Sequence, residues 1–228
     1  MARVLVGHPQ QIATPRPAAA DMPAAPTLPL RGAGLAIRRL ERGDLDRRQN
    51  WPPFNDPLHL IWDMPRCSDR ENDGWYAQIS DGRHRLAYAV DDEAGQLIGM
   101  LSLREIYWAR VSRLGISFSS QHVGEGRGTA ALRLFLPYYF YTLGFFQLVL
   151  DVAAANPRAV RCYEKIGFRR SGSRWQGADG PIDPGLFEKP EYAPLRGFFR
   201  WYWGRTETLY VDMELQRGEW ERQGALPS

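Results

Sequence analysis

The 228-residue sequence predicts an α/β fold with a parallel strand pair in its sheet. Three stretches carry the prediction. Residues 83–106, "RHRLAYAVDDEAGQLIGMLSLREI", are two alternating apolar–polar runs around Asp91–Gly95, the pattern of a hairpin. Residues 121–135, "QHVGEGRGTAALRLF", place three glycines ahead of a helical pattern that runs to about Leu143. Residues 146–168 join a continuous apolar strand, "FQLVLDVAA", to a short helix, "NPRAVRCYEKIGF". Strand, helix, strand, helix in succession returns the chain in the same direction and so pairs two strands in parallel.

The remaining elements follow in order. Residues 1–33 are an alanine- and proline-rich leader that offers little to bury, so a flexible segment is expected there, with the folded domain over 34–218 and a short tail over 219–228. "LAIRRL" (35–40) alternates as a half-buried strand, and "SRLGISFSS" (112–120) is another. Gly144 suits the end of the long helix, and Pro137 inside it should kink or locally break it. In the second helix Asn156 is a good N-cap, Pro157 sits at the first helical position and Gly167 terminates it. The closing strands are "GFRRSGSRW" and "TLYVDMELQ" (208–216), with an insertion over 176–206 between them.

Composition narrows the function classes. Apolar residues make up 44% and charged residues 24%, ordinary for a globular chain with a sizeable core. A net charge of +3 is too small to argue for nucleic acid. The 17-residue apolar run 134–150 is broken by Pro137, Gly144 and Gln147, and fits a helix followed by a buried strand better than a membrane span. Two cysteines, Cys67 and Cys162, form no disulfide framework, and four scattered histidines give no metal-ligand spacing, so a reducing cytoplasm and a metal-free site are expected.

Gly124, Gly126 and Gly128 lie between a strand and a helix. The first N–H groups of a helix lack internal partners and the helix dipole adds partial positive charge there. Glycines let an anion approach those amides without meeting a Cβ, so the turn is a natural phosphate or pyrophosphate cradle, with Arg127 able to add a bidentate contact. A tight turn that merely needs positive φ is the alternative. A nucleotide-triphosphate loop would end in Gly-Lys-Ser/Thr, and the dinucleotide fingerprint has a different glycine spacing.

Residues 97–175 resemble the GNAT superfamily of acetyl-CoA-dependent N-acetyltransferases, most closely the branch with ribosomal-protein and polyamine acetyltransferases. "LIGMLSLREIYWARVSRLGISF" resembles that branch's central hairpin, "VGEGRGTAALRLFL" its pyrophosphate loop and helix, and "DVAAANPRAVRCYEKIGFRRSG" its downstream strand and helix. The last carries N-x-x-A-x-x-x-Y-x-x-x-G-F, five fixed positions. The resemblance implies a mixed, mostly antiparallel sheet with its parallel pair at the cofactor cleft, flanked by helices. The family loop reads Q/R-x-x-G-x-G/A. Here Val123 takes the Gln/Arg place, which removes a polar contact, and Arg113 stands where relatives often carry glutamate.

The resemblance further implies direct attack of an amine on acetyl-CoA, without an acyl-enzyme. It implies that Val123, Gly124, Gly126, Arg127, Gly128 and Thr129 hold the cofactor with Asn156, and that Tyr163 protonates the departing thiolate. A tyrosine with an ordinary pKa of about 10 stays protonated at neutral pH and can donate. Oxyanion stabilisation falls to a backbone N–H among Ile116, Ser117 and Phe118. Glu105 is a weaker candidate for the base. Cys162, with no histidine near it in sequence, fits a small buried hydrophobe rather than a nucleophile.

Residues 50–67 stand where the family places its acceptor side, with Trp51, Phe54, His59, Trp62 and Asp63. The aromatic and arginine-rich 176–206 segment fits a substrate lid or a homodimer edge better than a platform for stacked bases. Two function classes remain at this point: an acetyltransferase acting on a primary amine of a small molecule or protein, or a non-catalytic acyl-CoA- or nucleic-acid-binding module on the same fold.

Overall fold

The computed structural model describes residues 25–63, 65–80, 84–107, 110–178 and 182–224. Residues 1–24 of the expected leader, and 225–228 of the expected tail, lie outside them. Among the described residues nine strands form one mixed sheet: β1 (Leu30–Gly32), β2 (Leu35–Arg39), β3 (Leu86–Asp92), β4 (Leu97–Tyr107), β5 (Val111–Phe118), β6 (Gln147–Ala153), β7 (Arg169–Gly177), β8 (Phe199–Tyr202) and β9 (Arg205–Gln216). The order is β1-β2-β3-β4-β5-β6-β9-β7, with β8 on β9. Every pairing is antiparallel except β5 with β6. Buried Leu30 begins β1, so the sheet takes up residues 30–32, within the segment expected to be leader.

Both faces of the sheet are covered, and strand alternation assigns each side chain to one of them. Tyr88 and Val90 of β3 join the main core with α4 (Arg127–Pro137), α5 (Pro157–Ile166) and α6 (Arg217–Arg222). Ala87 and Ala89, one residue out of step, join a smaller core with Leu45 of α1 (Arg42–Gln49) and Ile79 of α3 (Asp69–Ser80). Gly99 of β4 has a steric reason to be glycine: a Cβ there would stand 2.6 Å from the Phe118 ring on β5.

Two helices form for the reasons their sequences suggest. The Asn156 side-chain oxygen accepts from the Ala159 amide at 3.1 Å, and Gly167 closes α5 at φ 103°. Pro137 does not stop its helix. It ends the α-helical pitch, and a π-helical turn, Tyr138–Thr142, continues the rod to Leu143. Proline cannot donate to the carbonyl one turn back, and widening the next turn accommodates that loss. Tyr138, Tyr139 and Phe140 are buried there, so core packing accounts for the apolar run around them. No helix among the described residues is long and apolar enough to cross a membrane.

The insertion is packed rather than looped into solvent. Leu186, Phe187 and Phe199 are buried with Leu58, and Ile61 and Trp62 of the short helix α2 (His59–Trp62) pack against them. Phe187 meets Phe199 at 4.9 Å between ring centroids. The insertion thus buttresses the wall that residues 50–67 present to the cleft.

Candidate active site

The site is a fork in the sheet. Strands β5 and β6 pair over only three positions, Val111↔Gln147, Ser112↔Leu148 and Arg113↔Val149. Beyond them the strands part, and Ile116–Phe118 face Asp151–Ala153 across a cavity of about 420 Å³. Each strand keeps its outer neighbour: Ile116, Ser117 and Phe118 pair with Leu101, Met100 and Gly99, while Asp151–Ala153 pair with β9. In a strand the N–H groups alternate between the two sides. The Ser119 amide donates to Ile98 on the β4 side, and the Arg110 carbonyl accepts from Phe146 on the β6 side. Alternation between those ends turns the Ile116 and Phe118 amides into the fork.

The glycine loop caps one mouth of this cavity. Gly126 is the N-cap of α4 with φ +78°, and Gly124 has φ +91°. A Cβ on either would meet no described atom within 4 Å, so both open toward free space. Gly128 differs: its Cβ would lie 3.7 Å from Cys162 Sγ and 3.8 Å from the Phe118 ring, in ordinary packing contact. The three glycines therefore divide: Gly124 and Gly126 answer to backbone conformation and open approach, Gly128 to close helix packing. Arg127 lines the same mouth, with its Nε on Glu125 at 2.9 Å.

Helix α5 supplies the second wall. Asn156, Arg158, Arg161, Cys162, Tyr163 and Lys165 all line the cavity. Tyr163 is buried, its ring 5.8 Å from Phe168, and no hydrogen bond to its hydroxyl is made among the described residues. Burial, then Cys162 and Asp151 nearby, pushes its pKa well above the ordinary tyrosine value, so it holds its proton at neutral pH. The Cys162 thiol, 3.2 Å from Thr129 Oγ1, is also pushed up by burial, against smaller opposing effects of Thr129 and Lys165.

At the crotch of the fork Asp151 is shared by three guanidinium groups: Arg113 at 3.0 Å, Arg104 at 3.3 Å and Arg174 at 3.4 Å. Arg174 also bridges Asp212, and Arg113 bridges Glu105 at 2.8 Å. Glu105 is therefore corrected as a site residue. It is exposed, at φ +52°, ion-paired to Arg113 at the far end of β4, and it does not line the cavity. Its distance follows from the register: four residues separate it from Leu101 opposite Ile116, about 13 Å along a strand.

Every other catalytic or cofactor residue expected from sequence lines this one cavity: Ile116, Ser117, Phe118, Val123, Gly124, Gly126, Arg127, Gly128, Thr129, Asn156 and Tyr163; of the acceptor-side residues Phe54 and Trp62 do, and Trp51, His59 and Asp63 do not. Asp151 and Tyr210 were missed, because only strand pairing brings them to the fork. Arg158, Arg161 and Lys165 recur at helical spacing, a signal the sequence did contain. Phe54, Ile61 and Trp62 also line the cavity.

The cavity fits acetyl-CoA: open amides of a helix N-terminus for the pyrophosphate, cations on α4 and α5 for phosphate charge, and a passage between strands for the arm. Fold, loop and passage define an acetyltransferase. Residues 35–169 match the acetyltransferase (GNAT) domain family, and the chain belongs to it. It is an acetyl-CoA-dependent N-acetyltransferase that acetylates an amine.

Among its relatives is the spermidine N(1)-acetyltransferase of Vibrio cholerae, 33% identical over 139 residues, 60% of this chain and 80% of that protein. The corresponding Escherichia coli enzyme is 28% identical over 149 residues, 60% of this chain and 74% of that one. In three dimensions the chain resembles the Vibrio cholerae spermidine N-acetyltransferase in complex with CoA and spermine, with a TM-score of 0.63 and 24% identity over 83% of this chain and 99% of that one. A dodecameric structure of the Vibrio cholerae enzyme aligns with a TM-score of 0.59 and 23% identity, over 84% of this chain and 99% of that chain. Nothing in the structure or these relatives favours a non-catalytic module.

Proposed function

We propose that the fork is the transfer passage, with the glycine loop and α5 holding acetyl-CoA and the amine entering past Phe54, Ile61 and Trp62. One observation carries this reading: the parallel pair parts after three positions, and the open glycines and Tyr163 face the same gap. Bound acetyl-CoA supplies an activated acetyl group, whose carbonyl carbon forms a bond to the amine nitrogen while its bond to sulfur breaks.

The chain's residues do the rest. The amides of Gly126–Gly128 and the cations of Arg127, Arg158 and Arg161 bind the phosphates. The Ile116 and Phe118 amides, aimed into the fork, stabilise negative charge as it develops on the acetyl oxygen. Tyr163 gives its proton to the sulfur, and its raised pKa keeps it protonated until the thiolate appears. Asn156 has its side-chain oxygen committed to Ala159, which holds the helix start in place and leaves its amide nitrogen for the cofactor arm. No described carboxylate stands free at the fork to act as base, so the amine's proton leaves through water.

Free thiol released from acetyl-CoA in the presence of a panel of primary amines tests the reading, with spermidine as the first acceptor. Tyr163→Phe should slow transfer by roughly 10²- to 10⁴-fold with CoA affinity unchanged. Full turnover in that variant would show that the thiolate leaves unaided. A reducing cytoplasm, consistent with the free Cys67 and Cys162, is part of the proposal, as is a homo-oligomer, which the dodecameric relative supports and light scattering decides.

A further inference from the structure

We infer that the acceptor amine also carries a carboxylate, seated on Arg48, and is an amino-acid-like molecule rather than a polyamine. This rests on the fork being the transfer passage. Beside the acceptor mouth a small recess is lined by Arg48, Trp51, Trp62, Arg66 and Asp63. Phe54, Trp62, Ser117 and Phe118 line both the recess and the main cavity, so the two adjoin. On this inference a molecule with its amine at the fork reaches past these shared residues to Arg48.

Arg48 projects from α1 and is only 8% exposed. One of its terminal nitrogens donates to the Pro65 carbonyl at 3.3 Å, but its Nε is buried without a hydrogen-bond partner among the described residues. The Trp62 indole N–H is orphaned in the same way. Buried donors are nearly always satisfied, and a buried guanidinium that lacks an acceptor is costly. Two orphan donors on one recess call for an acceptor of hydrogen bonds brought from outside, and for a guanidinium the matching group is a carboxylate.

The charge balance points the same way. A polyamine needs several uncompensated carboxylates along its length. At the fork, Asp151 and Asp212 are set against Arg104, Arg113 and Arg174, two acids to three bases. Among the described residues that line it, the recess adds Arg48 and Arg66 against Asp63. The walls are aromatic, with Phe54 and Trp62 in edge-to-face contact at 6.4 Å. An apolar or aromatic amino acid matches these features, and a chain of ammonium groups does not.

The test uses the full chain and matched pairs: amino acids such as phenylalanine and methionine, their decarboxylated amines, and spermidine, with thiol release as readout. The carboxylated member of at least one pair should have the lower KM. Arg48→Met should raise that KM by roughly 10- to 100-fold and leave the KM of the decarboxylated partner unchanged. Arg48→Lys, which keeps the charge, should recover part of the loss and so separates recognition from folding. If spermidine and the decarboxylated amines are acetylated as well as or better than every amino acid, the inference is overturned while the transfer passage stands. If no amine releases thiol although CoA binds at the loop, the passage and the inference fail together.

Discussion

Replacing Gly126 and Gly128 separately by alanine divides two roles that the loop combines. At Gly126, φ is +78° and a Cβ would meet nothing described within 4 Å. An L-residue held there costs about 1–2 kcal/mol. For a domain of this size each kcal/mol moves Tm by roughly 2–4 °C, so Gly126→Ala should lower Tm by about 2–8 °C and leave the protein folded at 25 °C. If the loop holds the phosphates as proposed, its new methyl stands on the open side that they would approach. Losing one charge-assisted hydrogen bond costs about 1.5–3 kcal/mol, so CoA should bind roughly 10- to 100-fold more weakly.

Gly128→Ala makes the contrast. No positive φ is required, the Cβ lies at packing distance from Cys162 and Phe118, and a helical alanine is favoured over glycine by about 0.5–1 kcal/mol. Its Tm should hold or rise, and CoA affinity should stay within a factor of about two. Calorimetry with CoA and thermal melting without it measure both quantities. Equal losses of affinity in the two variants, or none in either, would refute the assignment of the phosphates to the open side of the loop.

Two further outcomes follow from other sites. Cys162→Ala should retain turnover and CoA affinity, because a thiol pushed up by burial is a poor nucleophile at neutral pH; an acetylated protein trapped by acid quench and lost in the variant would reinstate an acyl-enzyme. Asp44 is fully buried, and burial pushes its carboxyl up, but hydrogen bonds from Arg38 and the Glu41 amide outweigh that and hold its pKa below the usual carboxylate value. Its stabilisation is thus complete above an unfolded pKa of about 3.9 and lost as pH falls through the lower folded value, so Asp44→Asn should destabilise by roughly 1.5–3 kcal/mol at pH 7 and the gap in Tm should narrow as the medium is acidified through that folded value.

Much of the site was legible because it is local. N-x-x-A-x-x-x-Y-x-x-x-G-F encodes a cap, a helix face and a stop within thirteen residues, and each part behaves in the structure as its chemistry dictates. The glycine loop was readable for the same reason. What the sequence concealed is long-range. Helix α1 buries only Asp44, Leu45 and Arg48, so it shows no apolar period, and it is held instead by Arg38 gripping Asp44 and Asp91. Glu105 sat near the cleft by sequence order, but the β4–β5 register carries it past the fork to Arg113. The insertion's aromatics predicted packing without a partner, and that partner, α2, lies more than a hundred residues earlier.

The fork also has a meaning for the empty sheet. Between Ile116–Phe118 and Asp151–Ala153 two strand edges face each other inside the fold, each paired with a strand on its outer flank and, among the described residues, with no strand on its inner one. Exposed strand edges are templates that seek another backbone. The arm of CoA carries two amide groups in an extended chain, so the cosubstrate can stand in for a short tenth strand. The protein then completes its sheet only during turnover, and amide hydrogens at 116 and 118 should exchange with solvent freely in its absence and become protected when it is bound.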